Sequence, residues 1–198
     1  MNRRLADFLC GRQAALLFDL DGEIKSLPAL SGALIFPGSF NPMHHGHERM
    51  FRLAEKLTGR PGYLEISVQN VDKLALKADE LEARLERLKG NFRILLTHAP
   101  RFIEKARLFN GCTFLMGYDT AKRLIDPFYC KESCVEEMLS RFQQMNVKFL
   151  VAGRANKETF LTLTDLNIPA EFTSMFEGIS ADLFREDISS TEIRKSRE

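Results

Sequence analysis

An apolar run, Ala33-Leu34-Ile35-Phe36, leads into the loop Gly38-Ser39-Phe40-Asn41-Pro42-Met43-His44-His45-Gly46-His47. The loop is followed by Glu48 to Leu57, where Met50, Phe51, Leu53, Ala54 and Leu57 recur at helical spacing. The order is therefore buried strand, polar glycine-containing loop, amphipathic helix. In an α/β protein this is the place where backbone N–H groups and a helix N-terminus face an anion. Gly38 lets the backbone approach a ligand closely, and Pro42 fixes the chain before the histidines. His44 and His47 are three apart, so at a helix start they share a face and can each donate to a phosphate oxygen. Two other readings exist. The histidines could cap the helix or sit in solvent, or His44, His45 and His47 could gather a metal. No HExxH spacing or second ligand group supports the metal, and none is assigned.

The rest of the chain repeats the strand–helix alternation. Strands are expected over Tyr63–Val68 (with Glu65 its only charge), Phe92–Thr97, Thr113–Met116 and Val147–Ala152. Glu171–Phe176 is a candidate for the last strand. Helices are expected over Glu80–Leu88, Arg101–Phe109, Thr120–Ile125 and Cys134–Met145, with a short final one over Ser189–Ser196. Strands separated by helices imply βαβ units and a parallel sheet covered on both faces. Residues 1–30 are the weakest part of the pattern: Ala14–Phe18 reads equally as a strand or a helix end, and Asp21-Gly22 as a turn. They are taken as an N-terminal extension packing on a core domain of residues 31–198.

Composition narrows the class. The 198 residues suffice for one ordinary domain, with 44% hydrophobic and 28% charged residues. A net charge of +1 gives no sign of a nucleic-acid-coating surface. No apolar run reaches membrane-spanning length, and no signal-peptide pattern is evident. Cys10, Cys112, Cys130 and Cys134 form no CxxC pair, which fits reduced thiols in a cytoplasmic protein.

A second motif lies near the C-terminus, Ile188-Ser189-Ser190-Thr191-Glu192-Ile193-Arg194. Alone it reads as a capped helix start. A hydroxyl-rich helix start is also an anion site, and Arg194 adds a cation one turn on. The two motifs together resemble the nucleotidylyltransferase superfamily: GSFNPMHHGH has the form of its (H/T)xGH signature, and ISSTEIR of its ISSTxIR signature. The resemblance spans roughly Ser31 to Arg197, and the ISSTxIR form looks most like the nicotinamide/nicotinate mononucleotide adenylyltransferases. Two middle segments agree. Asn70-Val71-Asp72-Lys73 stands where the family often has a phosphate-binding lysine, with Lys77 as its substitute. Gly117-Tyr118-Asp119 resembles the GxD motif that contacts the nucleotide. Gly153-Arg154 falls where the adenine-side loop usually lies. The family's tryptophan after the GxD aspartate is missing, and Phe128 and Tyr129 are the nearest aromatic substitutes.

The resemblance implies a Rossmann-like, doubly wound parallel sheet of about five to six strands, the fold of the HIGH-superfamily nucleotidyltransferases. It implies transfer of AMP from ATP to a mononucleotide, NMN or nicotinate mononucleotide, with release of pyrophosphate, in NAD biosynthesis or salvage. His44, His47, Lys73 and Arg194 would be catalytic. Gly38, Ser39, Phe40, Gly46, Ser189, Ser190 and Thr191 would bind the ATP phosphates. Gly117, Asp119, Phe128, Tyr129 and Arg154 would serve the acceptor and nucleotide. Mg²⁺ would be held by the triphosphate. The partners implied are ATP and a phosphorylated small-molecule acceptor, not nucleic acid or membrane; a homo-oligomer is left open. The alternatives are CTP or another phosphorylated acceptor, a synthetase or ligase core (though the chain lacks a KMSKS-type loop), and a non-catalytic nucleotide-binding module. Phe18-Asp19-Leu20-Asp21-Gly22 also resembles the start of a haloacid-dehalogenase phosphatase, but an acidic turn is the preferred reading.

Overall fold

The computed structural model describes residues 3–69, 78–128, 134–156 and 159–185. The chain begins with α1 (Arg3–Leu9) and the antiparallel strands β1 (Ala15–Phe18) and β2 (Ile24–Lys25). The alternating part follows: β3 (Leu34–Pro37), α2 (His45–Thr58), β4 (Gly62–Ser67), α3 (Ala78–Leu88), β5 (Ile94–Thr97), α4 (Phe102–Leu108), β6 (Thr113–Gly117), α5 (Tyr118–Leu124), α6 (Val135–Gln144) and β7 (Lys148–Ala152). A small hairpin, β8 (Arg154–Asn156) and β9 (Thr159–Leu161), precedes two 3₁₀ turns and β10 (Phe176–Ile179).

The main sheet has the order β10-β7-β6-β3-β4-β5-β1-β2. Strands β3 to β7 and β10 are mutually parallel, whereas β1 pairs antiparallel with β5. The expected doubly wound α/β fold is present, but among the described residues the sheet has eight strands rather than five or six. The two additional strands come from the N-terminal residues, and α1 adds Leu5 and Phe8 to the core. The parallel strands are buried on both faces, and their side chains alternate between two clusters. Leu34, Phe36, Leu64 and Ile66 pack with Phe51 of α2 and Leu81 and Leu85 of α3. Ile35, Leu95 and Phe149 pack on the other face with Ala106 of α4 and Leu139 and Phe142 of α6.

Glu171–Phe176 is not a strand. Ala170–Met175 is a 3₁₀ helix, and the strand starts at Phe176. Phe172 and Met175, three apart, are both buried, so the helical spacing is set by docking on the core rather than by β-propensity. The turn Asp19–Gly22 lies beyond Phe18, which pairs with Ile94 at the start of β5. It therefore sits at the sheet edge opposite the C-terminal ends of the parallel strands. There Asp19 pairs with Arg93 and Asp21 with Lys25, which fits an acidic turn. Among the described residues no helix is long and apolar enough to cross a membrane.

Strand β3 is the first of the parallel set and lies in its middle. The chain moves outward through β4 to β5, then returns to β6 on the other side of β3. Strand order reverses there, and open α/β sheets bind ligands outside the strand ends at such a point. The ladders show why a crevice opens. The β3–β6 pairing stops at Ile35↔Phe114, whereas β3–β4 continues to Pro37↔Glu65 and β6–β7 to Gly117↔Ala152. Pro37 has no N–H to carry the β3–β6 ladder further.

Candidate active site

The Gly38–His47 loop leaves the end of β3 and enters α2 at this crevice. The Gly38 amide donates to the Glu65 carbonyl at 2.9 Å, extending the hold of β4 on β3. A Cβ on Gly38 would lie 2.7 Å from the tip of the Phe40 ring. Phe40 is buried, with its ring edge-on to Phe36 and to His47 (centroids 5.2 and 5.7 Å). The ring cannot yield without displacing His47. Gly38→Ala is therefore expected to destabilise the fold by about 1–3 kcal/mol by moving the loop. Urea unfolding checks this; unchanged stability would show that the loop tolerates the methyl group.

His44 is the N-cap of α2, and its Nδ1 accepts a long, 3.4 Å hydrogen bond from the His47 amide. A neutral His44 then carries its proton on Nε2, where it is a donor. The His44 and His47 rings stack with centroids 3.6 Å apart, so the three-residue spacing does bring them together. His45 is exposed on another side of the helix. Among the described residues no group of three or more His, Cys, Asp or Glu side chains converges to hold a metal ion. Gly46 is buried in the first turn, and Ser39 is exposed with its carbonyl accepting from Arg84 at 3.2 Å.

His47 packs against Phe36 and Phe40, and its Nδ1 is buried without a hydrogen-bond partner among the described residues. Burial, and secondarily the neighbouring His44, push its pKa from the usual imidazole value down to about 4. At neutral pH the ring is a neutral donor in an apolar wall. The unfolded chain protonates this ring near pH 6.5 and the folded one only near pH 4, so the unfolded state binds more protons between those values. Stability is expected to fall as pH drops from about 6.5 to 4, by up to about 3 kcal/mol from this group. Urea unfolding at pH 7 and 4.5 measures it; equal contributions in wild type and His47→Ala would exclude the ring as the source.

On the other side of the crevice, Gly117 ends β6 and is the N-cap of α5. Asp119, in the first turn of α5, forms an ion pair with Arg154 of β8, so these two expected site residues meet although they are far apart in sequence. Phe128 is 87% exposed and does not line the adjacent cavity. That cavity, about 690 Å³, lies between Tyr118 and Lys122 of α5, Glu136 of α6 and Asn167. Tyr118 is buried, and its hydroxyl makes a long, 3.5 Å hydrogen bond to the Asp165 carbonyl. Sequence reasoning passed over Tyr118 because it looked for an aromatic after the GxD aspartate rather than inside the motif. Lys73, Lys77, Tyr129, Ser189, Ser190, Thr191 and Arg194 lie outside the described residues.

Sequence reasoning also missed a buried polar cluster beneath the loop. Glu65 of β4 is 1% exposed and pairs with Lys105 of α4, which is 4% exposed. The available signal was Glu65 as the one charge in an otherwise apolar strand, since a fully buried carboxylate requires a partner.

A comparison with curated proteins found no match. A family model described as cytidylyltransferase-like matches residues 35–196, from within β3 and the histidine loop through the crevice-lining elements to the C-terminal motif. The parallel sheet, its switch-point crevice and this match across most of the chain place the protein in one group: it belongs to the cytidylyltransferase-like family of the nucleotidyltransferase superfamily.

Proposed function

We propose that the protein transfers AMP from ATP to a phosphorylated mononucleotide, nicotinamide or nicotinate mononucleotide, and releases pyrophosphate. The observation that carries this reading is the stacked His44–His47 pair at the N-terminus of α2, beside the loop amides at the switch point. Neutral imidazole N–H groups and a helix N-terminus suit phosphate oxygens. The acceptor's phosphate is already ionised at neutral pH, so no protein nucleophile is required. The bond formed joins an acceptor phosphate oxygen to the α-phosphorus of ATP; the bond broken joins that phosphorus to the departing pyrophosphate.

Catalysis is then positioning and charge stabilisation. His47 contacts the α-phosphate as negative charge develops there, and His44 holds β- and γ-oxygens. Lys73, Ser189, Ser190, Thr191 and Arg194 hold the pyrophosphate end. Gly38, Ser39, Phe40 and Gly46 shape the phosphate loop. The Asp119–Arg154 pair and Gly117 orient the nucleotide, and the cavity beside Tyr118 accommodates the acceptor. Mg²⁺, as the family resemblance implies, would be held by the triphosphate and would neutralise its charge, and no protein ligand is assigned to it.

Calorimetric titration with ATP and CTP tests the donor. ATP is expected to bind more tightly; preferential binding of CTP would replace adenylyl by cytidylyl transfer.

A further inference from the structure

At its C-terminal end β3 is held on one side only. The β6 ladder has already stopped at Ile35↔Phe114, and the Gly38 amide hangs on the Glu65 carbonyl. The position of the phosphate loop therefore depends on how firmly Glu65 is fixed. Its side chain reaches into the opposite layer. Oε1 accepts from Thr97 Oγ1 at 2.5 Å and from Lys105 Nζ at 2.9 Å, and Oε2 also lies 2.9 Å from Nζ. Lys105 Nζ donates in addition to the Ala99 carbonyl at 2.6 Å, and Thr97 Oγ1 accepts from the Ala99 amide at 3.2 Å. One carboxylate thus joins the ends of β4 and β5 to α4.

A buried ion pair is a poor device for stability, because apolar side chains of similar volume usually serve as well. It does supply direction: short charged hydrogen bonds permit one placement where apolar packing permits several. We propose that Glu65 and Lys105 are positioning residues for the phosphate loop, clamping the end of β4 so that the Glu65 carbonyl holds Gly38 in the geometry that receives the nucleotide. This rests on the nucleotide-binding reading of the loop.

The test is the double variant Glu65→Met/Lys105→Met, which removes both charges together and so leaves neither buried alone. It is expected to melt within a few degrees of wild type. Hydrogen exchange at the Gly38 amide is expected to accelerate about tenfold or more relative to Leu34 and Leu64. ATP affinity is expected to fall about tenfold. A stably folded double variant with wild-type Gly38 exchange and ATP affinity overturns the proposal. If the double variant does not fold, Thr97→Val replaces it; that substitution keeps both charges and loosens Glu65. Faster Gly38 exchange in Thr97→Val supports the clamp, and unchanged exchange overturns it. Should wild type bind no ATP, the nucleotide reading fails, and Gly38 exchange alone still decides the clamp.

Discussion

His47→Ala is expected to lower pyrophosphate release about 100-fold or more while leaving the fold intact, the usual cost of removing one donor aimed at developing phosphate charge. The ring stands in the first turn of α2, stacked on His44 and walled by Phe36 and Phe40. That setting keeps it neutral and directed rather than mobile in water. Truncation loses ring packing, but it also removes a buried nitrogen that has no partner among the described residues. Melting at pH 7 is therefore expected to change by only a few degrees, and the acid sensitivity between pH 6.5 and 4 should shrink. Circular dichroism and a coupled pyrophosphate assay on both proteins check the two halves. Undiminished turnover in His47→Ala would remove His47 from the chemistry.

The second large effect is on stability. Lys105→Met leaves Glu65 buried with its cationic partner removed, and breaking such a pair from one side typically costs about 3–5 kcal/mol. For a chain of this size the loss corresponds to a fall in melting temperature on the order of 10 °C. Thermal unfolding by calorimetry measures it. A melting temperature equal to that of wild type would mean that the Glu65 carboxylate is solvated without Lys105. The contrast with Glu65→Met/Lys105→Met separates the cost of an orphaned charge from the function of the pair.

The parts of this molecule that were legible in the sequence are the local ones. The step from Ala33–Phe36 through a glycine loop to the Met50-Phe51-Ala54 stripe reads directly as strand, loop and helix. The three-residue spacing of His44 and His47 puts their rings on one face, and they do stack. What was not legible depends on distant partners. Strand β1 has four residues and β2 two; β1 is defined by its pairing on β5 and β2 by its pairing on β1, rather than by a pattern of their own. Glu65 advertised a buried charge, but its partner is Lys105, forty positions on, which helical periodicity places no differently from a solvated lysine. Asp119 and Arg154 were each expected at the site, but their ion pair joins the first turn of α5 to β8, which no local sequence pattern pairs. The strand expected at Glu171–Phe176 failed because packing of Phe172 and Met175 overrides a weak propensity signal.

The central claim is that the crevice between the ends of β3 and β6 joins a nucleotide to a phosphorylated acceptor. The most direct measurement incubates the full chain with ATP and Mg²⁺ and each of a panel of phosphorylated acceptors, nicotinamide and nicotinate mononucleotides first. Pyrophosphate and adenylylated product are then quantified together. The expected result is one pyrophosphate per dinucleotide with one of those two mononucleotides. ATP binding with no pyrophosphate from any acceptor would contradict it and leave a nucleotide-binding module instead.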